Sequence, residues 1–233
     1  MELEKITKPF ESPQRRRYDD ACGAAHALDL VGERWALLVI RELIFGPKRF
    51  SDLRAGLPGI SANVLTQRLE GLEESGLVVR RKLPPPAAVQ VYELTAWGYE
   101  SEPIFQALGR WAARSPSHDP TLPFSSVSLL LSLRTMLDPA RAAGFDARIG
   151  LHLGTETFVA RIAEGRIDIA AGPLDKADVT FIGPAAVIAA AIYGGQSLES
   201  LEKGGALSVD GDRGLAQRFV TLFPLPEKAS STA

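Results

Sequence analysis

"RFSDLRAGLPGISANVLTQRLEGLEESGLVVRR", residues 49–81, sets two short helical patterns on either side of a Leu-Pro-Gly break and then runs into an apolar stretch ending in paired arginines. Ser51 is placed to cap a short helix reaching about Leu57. Pro58 stops it, because proline has no amide hydrogen to donate and biases its predecessor away from helix. Ser61 then caps a second helix whose Leu65, Leu69 and Leu72 recur at helical spacing and face inward. Gly76 supplies its left-handed stop. Next, "LVVRRKL" and "VQVYELT" flank "PPPAA", so residues 77–94 read as a hairpin with a stiff proline-rich tip.

Such an arrangement either packs two helices compactly or reads DNA. A helix-turn-helix holds its second helix so that the early outward residues enter the major groove. Here those residues are Ala62, Asn63, Thr66 and Gln67, and Asn and Gln can pair bidentately with adenine. Lys48, Arg49, Ser61 and Arg68 suit phosphates. The hairpin then takes the place of a wing, with Arg80, Arg81 and Lys82 at its base near the DNA backbone.

Upstream, "ACGAAHALDLVGERWALLVIRELIFGPKRF" predicts a core-facing helix, broken near Gly32, with a stripe of Leu28, Val31, Trp35, Leu38 and Leu43 that ends at Gly46-Pro47. Downstream, Thr95 caps a further helix that Pro103 kinks or restarts and whose apolar stripe includes Ile104, Phe105, Leu108, Trp111 and Ala112. That stripe is too wide for a helix that only caps a small domain, which marks Ile104, Leu108 and Trp111 as a dimer interface.

"RSPSHDPTLP" packs turn formers between periodic segments and marks a boundary. Five segments follow: an extension over 1–17, a first domain over 18–115, a linker over 116–123, a second domain over 124–225 and a tail over 226–233. The second domain opens with the helical "SSVSLLLSLRTML", and strands then read at "ARIGLHLG", "ETFVARIA", "RIDIAAG" and "ADVTFIG". "PAAVIAAAIYGG" is apolar on every side and is expected to be buried. A segment capped by Ser197, a strand at "ALSVDG" and an amphipathic helix at "DRGLAQRFVTLF" close the pattern. The fold class is α+β, with an antiparallel sheet covered by helices.

Formal net charge is −2, with the first half nearly balanced and the second net acidic, so any nucleic-acid surface is a local patch rather than a global field. No apolar run is long enough to span a bilayer and the charged start lacks the apolar middle of a secretory signal, which places the protein in the cytoplasm with no membrane partner. A single cysteine, Cys22, excludes an intrachain disulfide, and His26, His118 and His152 lack metal-ligand spacing. Phosphate loops and "GxSxG" are both missing; no enzyme activity, cofactor or metal is expected.

Taken together, "LDLVGERWALLVIRELIFGPKRFSDL", "LPGISANVLTQRLEGLEESGLVVRR" and "VYELTAWG", preceded by a cysteine, make residues 18–115 resemble the HxlR-type branch of the winged-helix MarR-like transcriptional regulators. The resemblance implies a homodimer on a double-stranded DNA operator, with two recognition helices in successive major grooves. The wing tip "PPPAA" departs from a basic tip. Cys22 matches the cysteine that some members use to sense oxidants or electrophiles; Arg15, Arg16 and Arg17 would favour its thiolate and Asp19-Asp20 would oppose it. Residues 122–223 more loosely resemble the sterol-carrier-protein type of lipid-binding domain, through "ADVTFIG", the apolar helix and "GALSVDGD". This implies a cavity for an apolar or amphipathic effector, lined by Val187, Ile188, Ile192, Leu215, Phe219 and Phe223. The sequence supports a transcriptional repressor; the alternative is a lipid carrier or adaptor whose winged helix binds protein.

Overall fold

The computed structural model describes residues 18–84, 89–120, 122 and 124–230. The extension over 1–17, the wing tip at 85–88 and the last residues, 231–233, lie outside them, and so do the expectations placed on Arg15, Arg16, Arg17 and the tip.

The N-terminal part runs α1 (Gly23–Val31), α2 (Ala36–Leu43), α3 (Phe50–Gly56), α4 (Ala62–Glu74), β1 (Val78–Lys82), β2 (Gln90–Leu94), α5 (Ala96–Tyr99) and α6 (Glu102–Ala113). Ser61 caps α4 by accepting from the Val64 amide, Gly76 sits at φ +72°, and Thr95 caps α5 by accepting from the Gly98 amide. The chain restarts at Pro103 rather than kinking, because proline is tolerated in the first turn of α6. Gly98 is obligatory for close approach: a Cβ there would stand 2.2 Å from the Leu77 carbonyl oxygen.

Two local readings change. The residue preceding α3 is Arg49, not Ser51, whose hydroxyl instead donates to Asp52. The stripe expected of one long helix also divides. Trp35, at φ +79°, turns the chain between α1 and α2. That turn resets the helical phase, so α2 buries Ala36, Val39, Ile40 and Leu43 while Leu28 and Leu38 face solvent.

The C-terminal part runs α7 (Ser126–Met136), β3 (Ala147–Leu153), β4 (Glu156–Ala163), β5 (Arg166–Ala171), β6 (Val179–Ile182), α8 (Ala185–Tyr193), α9 (Leu198–Lys203), β7 (Ser208–Gly211) and α10 (Arg213–Phe219). The sheet order is β5-β4-β3-β6-β7. It is mixed rather than wholly antiparallel, because β3 and β6 pair in parallel, Leu151 beside Phe181. After the β3-β4-β5 meander the chain crosses back to the free edge of β3, and only a crossover permits a parallel neighbour.

Helix α7 belongs to two cores at once. Leu129, Leu130 and Leu133 pack into the C-terminal cluster with Ile149, Phe158 and Phe219. Leu131, one residue on, packs into the N-terminal cluster with Leu43, Leu65 and Phe105. Polar contacts reinforce this seam: Arg134 donates to both carboxylate oxygens of Glu102 and to the Ile169 carbonyl, and its guanidinium lies 4.6 Å from the centre of the Phe45 ring.

Candidate nucleic-acid interface

Helix α4 presents its N-terminal half to solvent. Leu65, Leu69 and Leu72 turn into the core, which leaves Ser61, Asn63, Thr66 and Gln67 exposed and Ala62 half-buried. The polar groups able to read base edges therefore share one accessible face, as their spacing predicts.

The cations divide into two sets. Arg68 is drawn back toward the turn between α1 and α2, its Nη1 3.2 Å from Glu33 Oε2, with Nε buried and without a hydrogen-bond acceptor among the described residues. Arg80 makes a two-point pair with Glu73, and Arg81 pairs across the hairpin with Glu93. Lys48 donates to Glu42 at 3.3 Å and lies 4.0 Å from Glu156 of β4. Arg49 and Lys82 are exposed and form no ion pair among the described residues. So is Arg54, in the last turn of α3, which the sequence reading passed over. The signal for it was its neighbour Leu53: with Leu53 inward, Arg54 falls outward. Pairing is invisible to local reading because Glu33 and Glu93 stand 35 and 12 positions from their arginines, brought close only by the fold.

Glu42 is the buried hub behind this surface, 1% exposed. Its Oε1 accepts from Arg41 Nη2 at 2.8 Å and from the Ser125 hydroxyl at 3.2 Å, while Oε2 accepts from Lys48. A Cβ at position 56 would lie 2.5 Å from that carboxylate, so Gly56 leaves room for it. The carboxylate thus ties α2, the base of the wing and the start of α7 together.

Ile104, Leu108 and Trp111 form an apolar ridge at i, i+4 and i+7 along α6, exposed by 51%, 42% and 74%. Phe105 and Ala113 face the opposite way, into the core. An unbroken apolar ridge on a helix already anchored by its other face is the signature of an interaction surface.

Cys22 is exposed at the N-terminal end of α1, and the amides of Ala24 and Ala25 hold its thiol below the usual cysteine range, with slight burial opposing them. Asp20, expected to raise the thiol, instead accepts from the backbone amide of Cys22. The helix start outweighs the aspartates. At pH 7, iodoacetamide is expected to alkylate Cys22 faster in the folded protein than in urea, with the folded rate falling as pH drops through the lowered pKa. Equal rates, followed by mass spectrometry, would remove the thiolate argument.

In the C-terminal part, Ile188, Phe219 and Phe223 are buried, and Phe219 lies 5.3 Å from Phe181 and 5.1 Å from Phe223 between ring centres. Val187, Ile192 and Leu215 are half-buried. Helix α8 is not covered all round: Ala185, Ile188 and Ala191 face inward, and Ala186 is exposed. A hollow of about 310 Å³ opens instead at the C-terminal end of α8. Ile192 and Phe223 line it, together with Tyr193, Val220, Leu225 and Arg141, whereas Val187, Ile188, Leu215 and Phe219 do not. The Tyr193 hydroxyl donates to Ser132, and burial pushes its pKa up to about 12. A second recess, of about 470 Å³, lies between α6 and the β4-β5 turn and is lined by Glu102, Arg134 and Asp168.

Among the described residues no three His, Cys, Asp or Glu side chains gather as a metal site, and no helix is long and apolar enough to cross a membrane.

Residues 30–119 match the family described as HxlR-like helix-turn-helix, and residues 129–224 match the SCP-2 sterol transfer family. The transcriptional regulator YodB of Bacillus subtilis is 38% identical over 86 residues, covering 37% of this chain and 77% of the relative. YvaP of the same organism, also named as a helix-turn-helix-type transcriptional regulator, is 37% identical over 86 residues, covering 37% of this chain and 80% of its own length. Among solved structures, the reduced form of YodB aligns at 35% identity with a TM-score of 0.38, over 42% of this chain and 98% of that one. The redox regulator HypR in its oxidised form aligns at 30% identity with a TM-score of 0.39, over 42% and 100%. With a helix-turn-helix and its hairpin in place over the matched residues, the chain belongs to the HxlR-like helix-turn-helix family of transcriptional regulators and carries an SCP-2-like domain behind it.

Proposed function

We propose that the protein is a cytoplasmic, homodimeric repressor that binds a double-stranded DNA operator and is released by an apolar or amphipathic effector held in its C-terminal domain. One observation carries the reading: the polar early face of α4 is open to solvent, and Ile104, Leu108 and Trp111 make a continuous exposed apolar ridge along α6. Two copies joined along α6 present two recognition helices to successive major grooves. Asn63 and Gln67 then read bases, with Ala62 and Thr66 beside them. Ser61, Arg49 and Lys82 take phosphates as they stand. Arg54, like Arg49 and Lys82 without an ion pair among the described residues, adds a further phosphate contact, and Lys48, Arg68, Arg80 and Arg81 do so by exchanging a carboxylate for a phosphate. The effector hollow at the end of α8 is lined by one charged side chain, Arg141, among uncharged ones, which suits an amphipathic molecule. No cofactor, metal or enzymatic step is part of this reading, and Cys22 adds a second input through its thiolate.

The test is operator binding by fluorescence anisotropy, using DNA from upstream of the protein's own gene and a scrambled duplex, each at two salt concentrations. Asn63→Ala is expected to cost about 1–3 kcal/mol on the operator and far less on scrambled DNA, because a lost bidentate base contact matters only where the base is right. Equal losses on both duplexes would remove Asn63 from base reading.

A further inference from the structure

After α10 the chain does not leave the molecule. Phe223, Pro224 and Leu225 form one wall of the hollow at the end of α8. The next residues run back to the N-terminal part and fasten to the end of α6. The Ala229 amide donates to the Arg114 carbonyl at 2.7 Å, and Arg114 Nε donates to the Glu227 carbonyl at 3.2 Å. Lys228 Nζ donates to the Ala113 and Ser115 carbonyls, both at 3.0 Å. The last carbonyls of a helix lack partners within it and carry partial negative charge, so an ammonium group placed there both satisfies and neutralises them. The helix fastened in this way is the one that carries Ile104, Leu108 and Trp111.

We propose that residues 224–229 are a strap that transmits occupancy of the hollow to α6, and that the occupant is a compact apolar molecule bearing one carboxylate. The proposal rests on the effector reading above and names its ligand class and its route. The hollow, at about 310 Å³, is at the small end of the roughly 300–1,000 Å³ typical of small-molecule sites, which sets a compact occupant. Its lining is apolar through Ile192, Val220 and Leu225. Arg141 is the one charged side chain of its lining, with Nη1 donating to the Thr221 carbonyl and Nε 3.8 Å from Asp138 Oδ2. A carboxylate can take the remaining guanidinium edge by a charge-assisted bond. A chain lying along Ile192 presses on Leu225, three residues before Lys228. Moving Leu225 outward draws Lys228 and Ala229 off α6, and the freed helix end no longer holds Trp111 in its place.

Decanoate is the probe, with decanol as its uncharged partner. Calorimetry on the full chain should show decanoate binding that Arg141→Ala weakens about tenfold, with decanol indifferent to that change. Hydrogen exchange followed by mass spectrometry should show amides of 111–115 and 227–229 exchanging about tenfold faster when decanoate is bound. Lys228→Ala should raise exchange at 111–115 without any ligand, raise the decanoate affinity because binding no longer has to break the Lys228 contacts, and leave decanoate with less further effect on operator binding. Decanoate that binds without changing exchange at either segment overturns the strap while the effector site stands. Decanol that binds as tightly as decanoate overturns the carboxylate. If neither binds and operator affinity ignores both, the effector reading itself fails, and Lys228→Ala without effect on 111–115 removes the strap independently of any ligand.

Discussion

Leu108→Asp is expected to convert the protein to monomers by light scattering and to lower operator affinity by about 100-fold or more. Phe105 and Ala113 anchor α6 through its inner face, and Leu108 lies on the outer one at 42% exposure, so a carboxylate there leaves the buried contacts of α6 in place. In a two-fold interface the same patch serves both copies, and one substitution acts twice. Each copy would have to bury an unpaired carboxylate among Ile104 and Trp111, which is costly in apolar surroundings. Affinity falls with the dimer because two linked half-sites gain about 100- to 10,000-fold in avidity that separate monomers forfeit. The far-ultraviolet circular dichroism should be unchanged, which separates dissociation from misfolding. A dimer that survives the change would place the interface elsewhere, most directly on the C-terminal domain.

Glu42→Ala is the second large effect, and it concerns stability. The carboxylate is 1% exposed and holds Arg41, Lys48 and Ser125 at once, so its removal leaves two half-buried cations facing each other and a hydroxyl without its acceptor. Breaking a buried pair by deleting one partner costs about 3–5 kcal/mol. Glu42→Gln keeps the shape and one acceptor oxygen and is expected to cost about half as much, through loss of the charge-assisted bonds. Urea titrations followed by circular dichroism measure both. A midpoint unchanged in Glu42→Ala would mean that Arg41 and Lys48 reach solvent on their own and that the hub is not one.

The local features of this fold were legible because they depend on neighbours in sequence. Ser61 and Thr95 cap, Gly76 turns, Pro103 starts a helix and the hairpin follows α4, each through chemistry spanning a few residues. The outward face of α4 was readable for the same reason: once Leu65, Leu69 and Leu72 point in, Asn63, Thr66 and Gln67 have nowhere to go but out. What depended on distant partners was not. The left-handed turn at Trp35 shifts the phase between α1 and α2, and a large aromatic residue carries no warning of such a backbone. The carboxylates that hold Arg68, Arg80, Arg81 and Lys48 come from other elements. Phe181, on a strand read correctly as a strand, packs against Phe219, and Phe219 against Phe223, where the sterol-carrier resemblance implied a cavity wall. The hollow opens instead beside Leu225, where the chain bends back toward α6.

The double allegiance of α7 bears on how the protein is made. A chain emerging from the ribosome completes its helix-turn-helix and hairpin by residue 94, yet the place beside Leu43, Leu65 and Phe105 stays vacant until Leu131 has been synthesised. The same helix brings Leu129, Leu130 and Leu133, which have no sheet to lie on until β3 to β6 follow. The nascent regulator therefore holds an apolar helix in waiting until the sheet is made, and Lys228 and Ala229, which follow α10, fasten the finished second half to the first. Sealing of the first core and closure of the second are consecutive events on one helix, and the α6 ridge receives its final fixing only after α10 has been made.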